Sequence, residues 1–457
     1  MNKIRLSSLF IISLILIFGL MACSNNDSPK DANADPGNEN VNTNDNNAGD
    51  DNGEENEDDS ENLEEKYEAV DLGGRVIKIA NHWDMTPEGG TELRDQIVKR
   101  HEYIEEKYNI TIEYVEVTFD EKINTLTSSI LANDPFADLV SLGSSDVTAL
   151  YNEDYLIPFN EVVDMDDLQI PDNIVEMGMF GDNLLMVSHQ MNQSGGIFYN
   201  KDLFEQAGLP DPYELQENGE WTWDAFLHAA KELTTGDQYG LSGDPNIFAN
   251  FFIASNDEDI LDTDTLEVTI DSPKAVEALE FMAALYNDHR VVKPNEGDNW
   301  ENPRQYFTEG LVGMTQGWTW EMEGRADTSF EWGYVFWPKG PQADDYYVPV
   351  DDYEGLTIPA GVEDPAMVYQ IWEDLQSWEI IDDERNEWFE LISPNIETYE
   401  TIIQMQDHIR PNYWPAYGIG EAFYDTNANI AEGNESPSQA VAKVKGEAQS
   451  LVDEFMK

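Results

Sequence analysis

Between Arg75 and Gly143 the chain alternates strand and helix patterns, and this run limits the fold more than anything else in the sequence. Arg75 to Ala80 reads as a first strand. Thr91 to Lys107 has a helical period, with Leu93, Ile97, His101 and Ile104 on one side. Ile110 to Val117 alternates apolar and polar residues, as a half-buried strand does. Asp120 to Leu131 is helical, with Ile123, Leu126, Ile130 and Leu131 on one face, and Asp138 to Gly143 is a third strand. Strand–helix–strand–helix–strand requires parallel pairing through right-handed crossovers. Sheets of this kind bind ligands beyond the carboxyl ends of their strands. Those ends fall at Asn81–Asp84, Thr118–Asp120 and Ser144–Asp146.

The second half carries helix starts and further strands. Asn200 can cap a helix through Ala207 that stops at Gly208, and Thr222 can cap Trp223 to Leu233. Ser272-Pro273 and Ser436-Pro437 each give a cap followed by proline in the first turn. Leu311 to Gln316 reads as a strand that turns at Gly317 into a helix from Trp318 onward. Trp332 to Trp337 and Leu356 to Pro359 are further strands. Strands in both halves imply two α/β lobes. The 457 residues allow two or three domain-sized units, and no internal repeat is visible.

The first 70 residues differ in character. Met1 to Arg5 is a short basic start, Leu9 to Leu20 is almost wholly apolar, and Leu20-Met21-Ala22-Cys23 follows. That order defines an export signal, and the apolar run is short for a transmembrane helix. Leu-x-Ala-Cys resembles the lipobox of bacterial lipoproteins, which implies cleavage after Ala22 and lipidation of Cys23. Residues 1–22 are then the signal peptide. Ser24 to about Glu65 is Asn, Asp, Glu and Gly with almost no apolar residue, so it cannot bury enough surface to offset its ordering entropy. It is expected to be a disordered acidic linker within residues 23–70, and a flexible coil of this length spans near ~40 Å. Cys23 is the single cysteine, so no internal disulfide is possible.

A formal net charge of -69 excludes nucleic acid as a partner and argues against lying flat on an anionic bilayer. It fits a strongly hydrated surface. Asp257–Asp264 is dense in acids but lacks the spacing of an EF-hand calcium loop. The six histidines are scattered without His-Glu-x-x-His spacing, and no Gly-x-Ser-x-Gly elbow occurs. No catalytic residue, metal site or cofactor is expected, and the chain is read as not an enzyme.

Four segments carry a resemblance. Ile197 to Pro210 (IFYNKDLFEQAGLP), Trp221 to Leu233 (WTWDAFLHAAKEL), Phe307 to Met314 with Gly317-Trp318-Thr319-Trp320, and Arg410 to Tyr413 with the final two helices resemble family 1 extracellular solute-binding proteins. These are the maltose-binding-protein-like receptors of ABC importers. The similarity runs in order from Gly73 to Lys457, with Leu311 where the family usually has lysine. It implies a two-lobed periplasmic-binding-protein (Venus flytrap) fold with an interdomain hinge. Lobe one is expected at 71–189 plus 351–393, and lobe two at 190–350 plus 394–457. The implied function is capture of a carbohydrate and delivery to the transmembrane subunits of an ABC permease. The protein would be a monomer on the extracytoplasmic face, held to the membrane only by its lipid. A sensor presenting its ligand to a membrane receptor, or a cationic solute, remains open.

A sugar presents apolar C–H faces and a rim of hydroxyls, which suit aromatic rings and polar side chains respectively. Trp83, Asp84 and Asp146 stand at strand ends of lobe one. Trp318 matches a family position that stacks on sugar. Trp320, two residues on, is expected to pack inward but is kept as a candidate. The resemblance adds Gln193, before the Ile197 strand, and Phe248, Asn250 and Phe251 in a cleft-lining stretch. Asp351 or Asp352, where the chain should cross between lobes, serves as hinge or ligand contact; Asp352 is the one carried as a candidate. Trp221, Trp223, Trp332 and Trp337 are assigned to structural packing.

Overall fold

The computed structural model describes residues 66–188, 195–263, 265–296, 301–326, 328–350 and 353–455. The first three strands and their helices are β1 (Arg75–Asn81), α1 (Glu92–Tyr108), β2 (Ile110–Glu116), α2 (Phe119–Leu131) and β3 (Leu139–Gly143), followed by α3 (Ser144–Asn152). β1 lies between β2 and β3 and is parallel to both, with Arg75 opposite Ile110 and Ile79 opposite Leu139. The Thr91 hydroxyl caps α1 by accepting from the Arg94 N–H, and left-handed Asn109 closes it. Leu131, the last residue of α2, does not join its apolar face: it is 71 % exposed, while Ile130 beside it packs on the core.

A two-residue strand β4 (Leu156–Ile157) forms an edge of this first sheet. The chain then passes Val187 and enters β5 (Gly195–Asn200), α4 (Lys201–Ala207), α5 (Trp223–Leu233), β6 (Tyr239–Ser242), α6 (Pro245–Ser255) and α7 (Pro273–Tyr286). The expected caps are present. Asn200 accepts from the Leu203 N–H, Thr222 from Ala225 and Ser272 from Ala275, and Gly208 takes the left-handed conformation after α4. β7 (Val312–Trp318) and β8 (Trp332–Val335) complete a second sheet in the order β8-β5-β7-β6. β5 is antiparallel to both neighbours, whereas β7 and β6 are parallel. Trp318 therefore ends a strand and does not begin a helix. The turn after it is a single 3-10 turn, Thr319–Glu321.

The chain returns through β9 (Val348–Val350) and β10 (Glu354–Pro359). β10 inserts antiparallel between β3 and β4, which sets Glu354 opposite Gly143 at the carboxyl ends of the parallel strands. Helices α8 (Pro365–Leu375), α9 (Trp378–Ile392) and α10 (Ile396–Gln406) follow, then β11 (Ile409–Pro411), α11 (Gly420–Ala431) and α12 (Pro437–Phe455). α8 is clamped to α1 by a buried network. Arg100 donates to Asp374 at 2.9 Å, Lys107 lies 2.7 Å from the same carboxylate, and the Tyr108 hydroxyl donates to it at 2.9 Å. α11 and α12 pack on α6 and α7, beside the second sheet.

One core covers a face of the first sheet through Ile77, Ile79, Ile104, Leu356 and Trp372. A larger one takes the opposite face through Ala80, Val140 and Leu142 and continues into the second sheet. There Trp221, Trp223, Trp332 and Trp337 are all buried, as structural packing requires. Val187, on the way out to the second sheet, forms an antiparallel bridge with Leu356 of β10, on the way back.

Candidate functional site

At the edge of the first sheet, four elements converge. β1 delivers His82 and Trp83, the start of α2 delivers Phe119 and Lys122, α3 brings Asp146 in its first turn, and β10 opens with Glu354. The Lys122 ammonium is 3.0 Å from Glu354 and lies 5.2 Å from the Phe119 ring centroid, while its side chain is 1 % exposed. His82 Nδ1 lies 3.4 Å from the same Glu354 oxygen. The His82 ring meets Trp83 edge-on at 4.3 Å and Phe119 at 5.4 Å. Burial holds this imidazole below its usual pKa; Glu354 opposes that and Lys122 adds to it. Burial raises the Asp146 carboxyl, with Lys122 pulling the other way and Glu354 pushing further up. Trp83 is 47 % exposed and Phe119 more so, an apolar surface beside a paired charge cluster.

Asp84 is exposed and accepts the Thr86 N–H at 2.9 Å; the Thr86 side chain first, and this N–H with it, lower its pKa. Behind the loop after β1 lies a cavity of 470 Å³ between α1 and α9, lined by Met85, Glu88, Ile97, His101, Trp372 and Ile381 among others.

At the edge of the second sheet, Trp318 stands opposite Gly195. A Cβ on Gly195 would lie 2.3 Å from the Phe251 ring, so this glycine lets Phe251 approach the strand. Phe251 in turn meets Trp318 edge-on at 6.5 Å. The Trp318 and Trp320 rings are near parallel, 15° apart with centroids 6.4 Å apart. Trp320 is 44 % exposed and does not pack inward, because the turn after β7 carries it out of the sheet. Phe248 is fully enclosed by Phe252, Tyr286 and Trp337 and presents no free face. Phe251 likewise backs the site from the core. Asn250 is buried, accepting from Asn412 at 2.7 Å and from the Trp414 indole at 3.4 Å, so it braces the segment after β11. Cys23, Gln193 and Asp352 lie outside the described residues.

Short stretches of chain tether the two edges to each other. Ser188 and Gly195 are seven residues apart, a reach of at most about 25 Å. Val350 and Tyr353 are separated by at most about 11 Å. These short crossings link Leu356 and Glu354 on one edge to Gly195 and Trp318 on the other. α9 reaches toward both edges. Glu384 binds Arg94 beside the Asp84 loop at 3.1 Å, and Trp388, one turn further on the same face, donates to Glu323 at 3.1 Å beyond Trp320.

Of the residues expected from sequence, Trp83, Asp84 and Asp146 share the first edge, and Trp318 and Trp320 share the second. His82, Phe119, Lys122 and Glu354 were missed. One signal existed for Lys122: a cation near a helix N-terminus opposes the helix dipole, and it needs a carboxylate to hold it there. Among the described residues no group of three or more His, Cys, Asp or Glu side chains could hold a metal ion, and no helix is long and apolar enough to cross a membrane.

Residues 87–370, more than half of the chain, match the family described as bacterial extracellular solute-binding protein. Among curated proteins none matches by sequence. Solved structures match in fold. The cyclic α-maltosyl-1,6-maltose binding protein of Arthrobacter globiformis is 20% identical with a TM-score of 0.64, over 84% of this chain and 100% of that one. An ABC substrate-binding protein of Listeria monocytogenes in complex with cycloalternan is 17% identical with a TM-score of 0.63, over 82% and 98%. UgpB of Mycobacterium tuberculosis in complex with glycerophosphocholine is 14% identical with a TM-score of 0.62, over 84% and 100%.

Proposed function

The chain belongs to the bacterial extracellular solute-binding proteins, and from that premise we propose that it captures a carbohydrate between its two lobes and hands it to the membrane subunits of an ABC importer. The observation that carries this reading is the near-parallel Trp318–Trp320 pair, standing out of the second sheet at the end of β7. Indole faces suit the C–H faces of a pyranose. The opposite edge offers the exposed rings of Trp83 and Phe119 with Glu354, Asp146 and Lys122 beside them, groups that accept from or donate to sugar hydroxyls. Solute bound to both edges favours the closed form over the open one, so closure is a population shift about the paired crossing segments. Discrimination follows from polar groups that a wrong sugar would leave unpaired.

Calorimetry of the purified protein against mono- and oligosaccharides tests this. At least one glycan gives saturable heat, and Trp318→Ala weakens its binding tenfold or more, since a ring contact and its buried area contribute roughly 1.5–3 kcal/mol. No heat from any glycan counts against a sugar. A second reading draws on the same surface: exposed Trp83 and Phe119 rings beside carboxylates also suit an organic cation. Glycerophosphocholine belongs in the panel for that reason, as the solute named with UgpB.

The anchor is proposed with the function. Cys23 takes the lipid, the acidic segment behind it is the tether, and the body works as a monomer outside the cytoplasmic membrane. Cells fed a clickable palmitate analogue label the native protein, whereas Cys23→Ser takes no label and is recovered in the soluble fraction. Equal labelling of both proteins excludes this anchor.

A further inference from the structure

The Trp318–Trp320 pair is followed within five residues by two buried charges, Glu321 and Arg325. Arg325 is 0 % exposed, and among the described residues only its Nη2 finds an acceptor, Glu321 Oε2 at 2.6 Å. Its Nε and Nη1 have none among them. The guanidinium lies instead over the Phe198 and Phe307 rings, at 3.9 and 5.0 Å from their centroids. Glu321 is itself buried, and Arg304 approaches the same carboxylate at 3.4 Å. Burial pushes the Glu321 carboxyl up, while Arg325, Arg304 and the nearby Trp318 backbone N–H pull it down. It sits so close to the strand that a Cβ on Gly317 would come within 2.7 Å of Oε2. The Tyr334 hydroxyl holds the Gly317 carbonyl from the other side at 3.0 Å. Arg304, finally, lies 4.7 Å from the centroid of the Trp320 ring.

These contacts lock one another. Glu321 cannot swing away without leaving a buried guanidinium without a counter-charge, which is strongly unfavourable. While it stays, it lies against the strand at Gly317, next to Trp318. Arg304 ties the same carboxylate to the ring one residue earlier, Trp320, so both indoles are referred to a single buried charge. We propose that Arg304, Glu321 and Arg325 form a brace that holds Trp318 and Trp320 as a preset parallel platform before any solute arrives, with half-buried Arg304 as its positioning residue. The proposal rests on the capture reading for its purpose, but the brace itself exists in the solute-free protein. Its benefit is preorganisation: two large side chains that are already ordered lose less entropy when the solute binds.

The experiment is 19F NMR of the full chain labelled with 5-fluorotryptophan, with Trp318 and Trp320 assigned from Trp318→Phe and Trp320→Phe. There are 12 tryptophans, so ten serve as internal controls. Arg304→Met leaves the buried Glu321–Arg325 pair intact and keeps the fold. In the solute-free protein it shifts and broadens the Trp318 and Trp320 resonances and leaves the other ten in place, and Arg304→Lys restores them in part. Resonances of both residues unchanged in Arg304→Met overturn the brace. Titration with maltotetraose and with glycerophosphocholine separates the two readings. A solute that moves Trp318 in the native protein binds Arg304→Met about tenfold more weakly if the platform is preset by the brace; equal affinity overturns it. If no solute moves Trp318 while Arg304→Met still disturbs the solute-free pair, the capture reading fails and the brace stands.

Discussion

Asp146 illustrates how a single side chain at this edge trades stability for readiness. Burial raises its carboxyl above the usual 3.8, so the folded protein binds this proton more readily than the unfolded chain. The sign follows directly. Stability from this group is complete below the unfolded pKa and declines as pH rises through the folded one, leaving a penalty at neutral pH. Asp146→Asn is therefore expected to resist urea better than the native protein at pH 7, with the gain vanishing near pH 3.5. A variant less stable at pH 7 would make Asp146 a structural support. Asp146 was legible in the sequence because strand-end positions follow from periodicity. Glu354 was not: it is one of 93 acidic residues, and its importance comes from pairing with Lys122, 232 positions away in the chain.

At the scale of elements, caps and parallel pairings were legible because they are local. Asn200, Thr222 and Ser272 each cap as their residue types dictate, and β2-β1-β3 is the order that right-handed crossovers favour. Two elements were misread for physical reasons. α6 is buried on every face from Phe248 to Ser255, so Phe248 and Phe251 back the site from the core. The step after β7 has too few residues for a period to show, so a 3-10 turn passed for a helix start and Trp320 was expected to pack inward. β5 carries a prediction of its own. Gly195→Ala places a methyl against Phe251 and drives that ring toward Trp318. Overpacking of this kind costs about 1–3 kcal/mol. Urea unfolding should show that loss, and solute affinity should fall several-fold with it. A variant of native stability and affinity would show that the Gly195–Phe251 contact is slack.

For the whole molecule, two lobes were legible from strands in both halves, and the resemblance implied a return to lobe one at 351–393, whereas the strand that β10 pairs with was not legible. β10 enters the first sheet antiparallel from a segment more than 200 residues after β3, and such a pairing leaves no local signal. That insertion nevertheless makes the first edge, because it carries Glu354 there and lays the returning chain beside Val187. If the proposed function is right, a carbohydrate sits on the Trp318 platform and against the His82–Lys122–Glu354 edge. A crystal structure of the protein with the tightest glycan from the calorimetric panel decides this. Density for a sugar ring is expected within about 4 Å of the Trp318 indole face, the usual van der Waals contact distance, with the lobes drawn together around it. Density for the glycan elsewhere, such as the 470 Å³ cavity behind the Asp84 loop, with the Trp318 face left bare, would contradict it.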